Sequence, residues 1–313
     1  MIRTACTSLL LASLAFAKPK QPAPAPAPAK DAGAPAKKSA VLTFTQGLST
    51  PESALYDADT DTYLVTNIIG SPLAKDGKAA IFEISPAGET VKALIFEGKD
   101  KDDLNAPKGM ALLGGVLYVA DIDTVRTYER KTFKSLGEVK VPGATFLNDL
   151  SAGPDGKVYL SDSGLKQGAK DFEPSGTDGL YVIEPGKKPV LKTLLKSKDL
   201  NKPNGVLATA DTLYVVTFGS NELLTFDLKG KKKAEPVKLP KGSLDGIVLL
   251  PGGDLLISSW DGKALYRGKP AGPFTELLGD LNAPADIGYD SKRMRVLVPR
   301  FLDNRLEAWD VDL

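Results

Sequence analysis

Six short phrases hold the residues of this chain that could do chemistry. Glu52 stands in "TPES", Lys108 in "APKG", Asn148 in "FLND", Asn204 in "KPNG", Asp245 in "SLDG" and Asp286 in "APAD". Five of the six carry oxygen donors, and glutamate, asparagine and aspartate together suit a hard cation such as Ca²⁺, completed by water or substrate. One at a time, an Asn or Asp before a strand is also an ordinary turn former; recurrence at one register favours a shared site. Lys108 departs from the set. Its ammonium either holds a substrate carboxylate or phosphate, or pairs with Asp121 or Asp149 as a structural bridge.

Absences narrow the chemistry further. The 313 residues include no histidine and one cysteine, which excludes a Ser-His-Asp triad, a histidine metal site and a Cys₄ site. Neither a phosphate loop nor a dinucleotide-binding glycine fingerprint is present. Oxygen-ligated metal chemistry remains, with carboxylates or lysine as acid and base. A formal net charge of +1 gives no reason to expect nucleic acid. Charge runs such as "DLKGKKK" and "GKDKDD" read as solvated turns.

Something must bring six distant phrases together. They recur at intervals of about 40 to 56 residues, a period that marks a propeller. Each is followed by a second strand ("TYLVTN", "VLYVAD", "KVYLSD", "TLYVVT", "DLLISS", "MRVLVP") and a third ("AAIFEI", "TVRTYE", "GLYVIE", "ELLTFD", "KALYRG", "RLEAWD"). Turns such as "GPDGK" and "PGGD" join the first two strands as hairpins require. The expected fold is all-β: a six-bladed β-propeller of four-stranded blades over residues 40–313. The last unit stops after its third strand, and "AVLTFT" (40–45) is expected to supply its outer strand, hiding an edge. A seventh blade would need a seventh phrase. The innermost strands then line a central channel, and the six residues form a ring near one mouth.

Residues 1–17, "MIRTACTSLLLASLAFA", read as a signal peptide: an arginine, a short apolar run, then Ala-Phe-Ala. The run is too short to span a bilayer. Cleavage after Ala17 would remove Cys6 and leave a cysteine-free chain, exported to a bacterial periplasm or secreted. Residues 18–39, rich in Pro, Ala and Lys, read as an extended tether. A monomer acting on a small molecule is expected.

The phrases with Glu52, Asn148, Asn204 and Asp245 together resemble the signature of the senescence-marker-protein/gluconolactonase family. That family shares its six-bladed architecture with paraoxonases and, more remotely, strictosidine synthase-like proteins. The resemblance covers most of residues 50–300, with the phrases in the family's order. It implies that Glu52, Asn148, Asn204 and Asp245 bind one divalent metal, usually Ca²⁺, and that the activity is hydrolysis of lactones or related esters. Asp245 would also be the base or nucleophile; Asp149, from its place just after a ligand in the chain, is expected to orient the attacking water. Phe146 stands where sugar-lactonase members carry an arginine, which suggests an apolar substrate. Asp121, in "ADIDT", and Trp260, in "SSWDG", follow second strands and are further candidates for the substrate mouth, although a turn or blade packing would explain them equally. Lys108 and Asp286 have no standard role in the lactonase pattern. The other reading is a non-catalytic propeller, stabilised by Ca²⁺, that binds a ligand or an envelope protein.

Overall fold

The computed structural model describes residues 39–100 and 103–312. The expected signal peptide, nearly all of the expected tether and Cys6 lie outside the described residues. Among those described, no helix is long and apolar enough to cross a membrane.

Six four-stranded antiparallel sheets follow one another along the chain. Their innermost strands are Pro51–Asp57, Pro107–Leu113, Leu147–Ala152, Pro203–Ala208, Leu244–Leu249 and Gly288–Asp290. Each touches the innermost strands of the blades before and after it, and that of blade six touches blade one, which closes a six-bladed ring. Leu42–Phe44 hydrogen-bonds to Arg305–Asp310 as the outermost strand of blade six.

Burial explains the arrangement. The second strands are covered throughout, as in Thr62–Ile68, Val158–Asp162 and Leu255–Ser259. They read as continuous apolar and small residues because both sheet faces are packed. Outermost strands such as Thr90–Glu97 and Lys232–Lys238 are mostly exposed; the second is polar and charged, whereas the first presents Val91 and Ile95 to solvent. Six apolar clusters fill the six gaps between blades. One joins Leu64 and Ile81 of blade one to Met110 and Leu117 of blade two; another closes the ring between Leu297 of blade six and Tyr63 of blade one. Each such side chain contributes about 1.5–3 kcal/mol by leaving water.

Two longer connections interrupt the regularity. Blade one extends the link between its second and third strands over residues 69–77, and blade three extends the same link over 163–178. The second insertion carries its own two-stranded ribbon, Leu165–Gln167 against Phe172–Pro174. Both insertions emerge on the same face of the ring.

Candidate functional site

Five of the six phrase residues, Glu52, Lys108, Asn148, Asn204 and Asp245, sit in β-bulges. In blade three, Leu147 pairs with Asp162 and Leu150 with Leu160, so Asn148 and Asp149 together oppose one residue. The same slip places Lys108 between Pro107 and Met110, Asn204 between Pro203 and Val206, and Asp245 between Leu244 and Ile247. In blade one Glu52 is the extra residue between Pro51 and Ser53. A bulge bends its strand and re-aims a side chain. Glycine follows the ring residue in three blades for lack of room: a Cβ on Gly205 would lie 2.2 Å from the Asp245 carbonyl oxygen, and one on Gly246 2.3 Å from the Ile287 nitrogen.

Buried hydroxyls then lock neighbouring blades together in pairs, one to two, three to four and five to six. Thr66 Oγ1 accepts from Ser53 N–H (3.0 Å) and donates to the Lys108 carbonyl (2.9 Å). Ser161 Oγ accepts from Asp149 N–H (3.1 Å) and donates to the Asn204 carbonyl (2.6 Å). Ser258 Oγ accepts from Gly246 N–H and donates to the Ala285 carbonyl, both at 2.8 Å. Each hydroxyl uses its proton and a lone pair to fix a bulge against the next blade.

Five ring residues, Glu52, Lys108, Asn148, Asn204 and Asp245, face one cavity of about 260 Å³. Glu52 Oε2, Asn148 Oδ1, Asn204 Oδ1 and Asp245 Oδ1 are all buried without a hydrogen-bond partner. Leaving a buried acceptor unmet costs about 1–3 kcal/mol, so four at one cavity mark a place where something else supplies the charge or protons. Asn148 shows how firmly the arrangement is held. Ser163 Oγ donates to the Pro203 carbonyl (2.7 Å), so it can only accept from Asn148 Nδ2 (3.0 Å). That fixes the amide with its oxygen free. Two carboxylates and two amide oxygens are hard donors of the kind Ca²⁺ takes, and the set fits a divalent cation. No group of three or more Asp, Glu, His or Cys side chains with metal-binding geometry occurs among the described residues; here half of the donors are amides.

Burial raises the pKa of Glu52 well above the usual carboxylate range, helped by Asp245 and Asp286. Asp245 is raised for the same reason, with Asp286 next; nearby Trp260 and Asn204 pull it back slightly. Trp260 Nε1 nevertheless completes no hydrogen bond.

Lys108 makes neither bridge considered from the sequence. Its ammonium donates to the Pro72 and Ala106 carbonyls, both at 3.0 Å, and sits 4.4 Å from the centre of the Phe146 ring. Burial lowers its pKa to about 8, against the opposing pull of Glu52, Asp121 and Asp162.

Three other candidates lie elsewhere. Asp149 accepts from Leu150 N–H (2.6 Å) and from Val206 N–H in the next blade (2.7 Å). With Asp286, which accepts from Ser53 Oγ, it lines a separate cavity of about 410 Å³ among the C-terminal halves of the inner strands. Asn148 and Asp149, neighbours in one bulge, thus line different cavities. Asp121 accepts from Ala106 N–H (2.9 Å) and the Asn105 side chain (3.1 Å), holding the chain as it enters blade two. Asp162 holds Phe146 N–H the same way (2.9 Å). The acidic end of these second strands is thus an anchor for the following turn.

The walls are aromatic. Phe146 and Trp260 line the cavity, together with Phe172, Phe218 and Phe301, which the sequence reading missed. Phe146 meets Phe172 edge-on at 6.2 Å, and Trp260 lies 5.6 Å from Phe218 and 5.3 Å from Phe301. A signal did exist. Asn67, Asp121, Asp162, Thr217, Ser259 and Arg300 hold equivalent register opposite the residue before each bulge. The residues just after them, Ile68, Ile122, Ser163, Phe218, Trp260 and Phe301, form a second ring, and all but Ile122 line the cavity.

No family model matches the chain, and no curated protein matches it. Solved structures do. A gluconolactonase from Xanthomonas campestris superposes with a TM-score of 0.64 at 18% identity, covering 85% of this chain and 87% of that one. A catalytically inactive virginiamycin B lyase from Staphylococcus aureus with quinupristin gives 0.57 at 12% identity, over 87% and 98%. A chain of a nidogen/laminin complex gives 0.54 at 14% identity, over 76% and 92%. At these identities the likeness is one of fold, the all-β propeller that this chain shares with a gluconolactonase.

Proposed function

We propose that this protein is an exported, divalent-metal-dependent hydrolase of lactones or related esters, with Ca²⁺ as the metal. The observation that carries the reading is the set of four unpartnered, buried oxygens on Glu52, Asn148, Asn204 and Asp245 around one cavity. The fold shared with a gluconolactonase supports the reaction class.

When bound by those four side chains, the cation would supply a Lewis acid for a carbonyl oxygen. The chain's own groups account for the rest. Asp245, beside the aromatic wall, takes a proton from the attacking water as it adds to the carbonyl carbon, and returns it to the leaving oxygen when the ring or ester bond breaks. Trp260 Nε1 is a free donor near Asp245 for holding substrate. Lys108 keeps residue 72 and its loop over the cavity through the Pro72 carbonyl. The phenyl rings exclude bulk water. Asp149 takes no part in this scheme; its bond from Val206 N–H holds blade four to blade three, and its bond from Leu150 N–H fixes its own bulge.

The test is calorimetric titration with Ca²⁺ alongside turnover of a lactone and ester panel, for the native chain and Asp245→Ala. Native protein should bind Ca²⁺ and hydrolyse at least one substrate class, and the variant should do neither. Ca²⁺ binding with no turnover on any member would favour the binding-protein reading, and absence of binding would end the metal proposal.

A further inference from the structure

We infer that the cavity selects substrates carrying a medium-length alkyl or an aryl group next to the reacting carbonyl, and that Phe172, on the blade-three ribbon, determines this preference. The inference rests on the proposed hydrolase reading for the word substrate, but its physical content is the shape and chemistry of the pocket.

The polar atoms of the cavity belong to the ring residues, with the Trp260 indole nitrogen and the engaged Ser163 hydroxyl beside them. Around them stand Ile68, Leu165, Phe172, Phe218, Trp260 and Phe301. Ser163 is polar, but its hydroxyl is engaged with Asn148 and Pro203. A polyhydroxylated ring seated here would leave hydroxyls unpaired against these walls, at a cost that strongly favours an apolar group. A volume of about 260 Å³ holds on the order of nine water-sized groups, enough for a lactone ring with a short chain.

Phe172 is the wall residue with the most freedom. It is 37% exposed, a large apolar side chain presented to solvent at the mouth. Its ribbon is held firmly at the base, where Thr145, Ser175 and Thr177 hydroxyls form a triangle (2.7, 2.9 and 2.9 Å) and Ser175 N–H donates to the Gly164 carbonyl (2.7 Å). Toward the tip the ribbon's own pairing, the exposed Lys166–Glu173 ion pair, the Gly168–Asp171 turn and the Phe146 ring support it. A seated alkyl chain would cover the Phe172 ring, adding its burial to that of the chain.

The test separates pocket from reaction. Binding of 2-alkylcyclopentanones, unreactive analogues of alkyl lactones, is followed across methyl to heptyl chains by tryptophan fluorescence in a Trp309→Phe background, which leaves Trp260 as the reporter. Turnover of the matching lactones and of glucono-1,5-lactone is measured in parallel. Ketone affinity should rise about fourfold per methylene and level off once the cavity is full. Phe172→Ala should weaken the heptyl member about tenfold and leave the methyl member unchanged, with Phe172→Leu intermediate. A flat chain-length series, equal losses for short and long members, or a preference for glucono-1,5-lactone would overturn the inference. Graded ketone binding without turnover of any lactone would uphold the inference and refute the hydrolase.

Discussion

Metal-free protein should lose thermal stability as pH rises from 5 to 8. Glu52, Asp149, Asp245 and Asp286 are all buried, and burial is the first cause raising the pKa of each. Mutual repulsion adds to it for the first three. A carboxyl whose pKa is raised in the folded state holds its proton there but releases it near pH 4 when unfolded. The stabilisation is therefore full below the unfolded value and disappears as pH climbs through the folded one. For Asp286 the shift runs from 3.8 to about 7, equivalent to about 4 kcal/mol. The other three share protons with it, so their effects do not simply add. Between pH 5 and 8 about 3 kcal/mol of this is lost, roughly 8 °C in Tm for a domain of this size. Lys108, lowered to about 8, has the opposite sign, but its window lies above pH 8. Calorimetry in chelator at pH 5, 6, 7 and 8 measures the slope. Millimolar Ca²⁺ should restore stability at pH 8 far more than at pH 5, because the cation competes with protons for Glu52 and Asp245. Asp245→Asn should flatten the slope and abolish the Ca²⁺ effect. A metal-free Tm that is level or rises between pH 5 and 8 would refute the reasoning.

Two substitutions examine the supports of the ring. Lys108→Met removes a cation from the wall of the metal site; at an effective dielectric of about 20 this is worth on the order of 1–2 kcal/mol, so Ca²⁺ should bind about tenfold tighter by calorimetric titration. Unchanged or weaker binding would mean that Lys108 matters mainly for holding its loop. Ser258→Ala leaves the buried Gly246 N–H and Ala285 carbonyl without a partner, which should cost about 2–4 kcal/mol in denaturant unfolding. A loss under about 0.5 kcal/mol would show that the clamp between blades five and six is dispensable.

The ring was legible because a propeller repeats itself locally. Each phrase carries the bulge, its polar residue and often the small residue after it, so setting six phrases in register aligned Glu52, Lys108, Asn148, Asn204, Asp245 and Asp286. The same register misled for Asp286. It shares the phrase, yet Pro284 pairs with Arg300 as Leu147 does with Asp162, so Ala285 holds the ring position in blade six and Asp286, one residue later, stands where Asp149 does, at the other cavity. Asp121 misled differently, since an acid at the end of a second strand has backbone N–H groups within reach and serves them.

The amino-acid sequence alone determined the number of blades, the strands within each and the identity of the side chains that ring the axis, since these depend on alternation and spacing along the chain. Only the tertiary structure decided which oxygens are left without partners, which neighbour takes up the Lys108 ammonium, and that Phe146, Phe172, Phe218, Trp260 and Phe301 meet around one cavity. Those outcomes depend on loops of unequal length from different blades converging in space, and convergence leaves no period in the sequence to read.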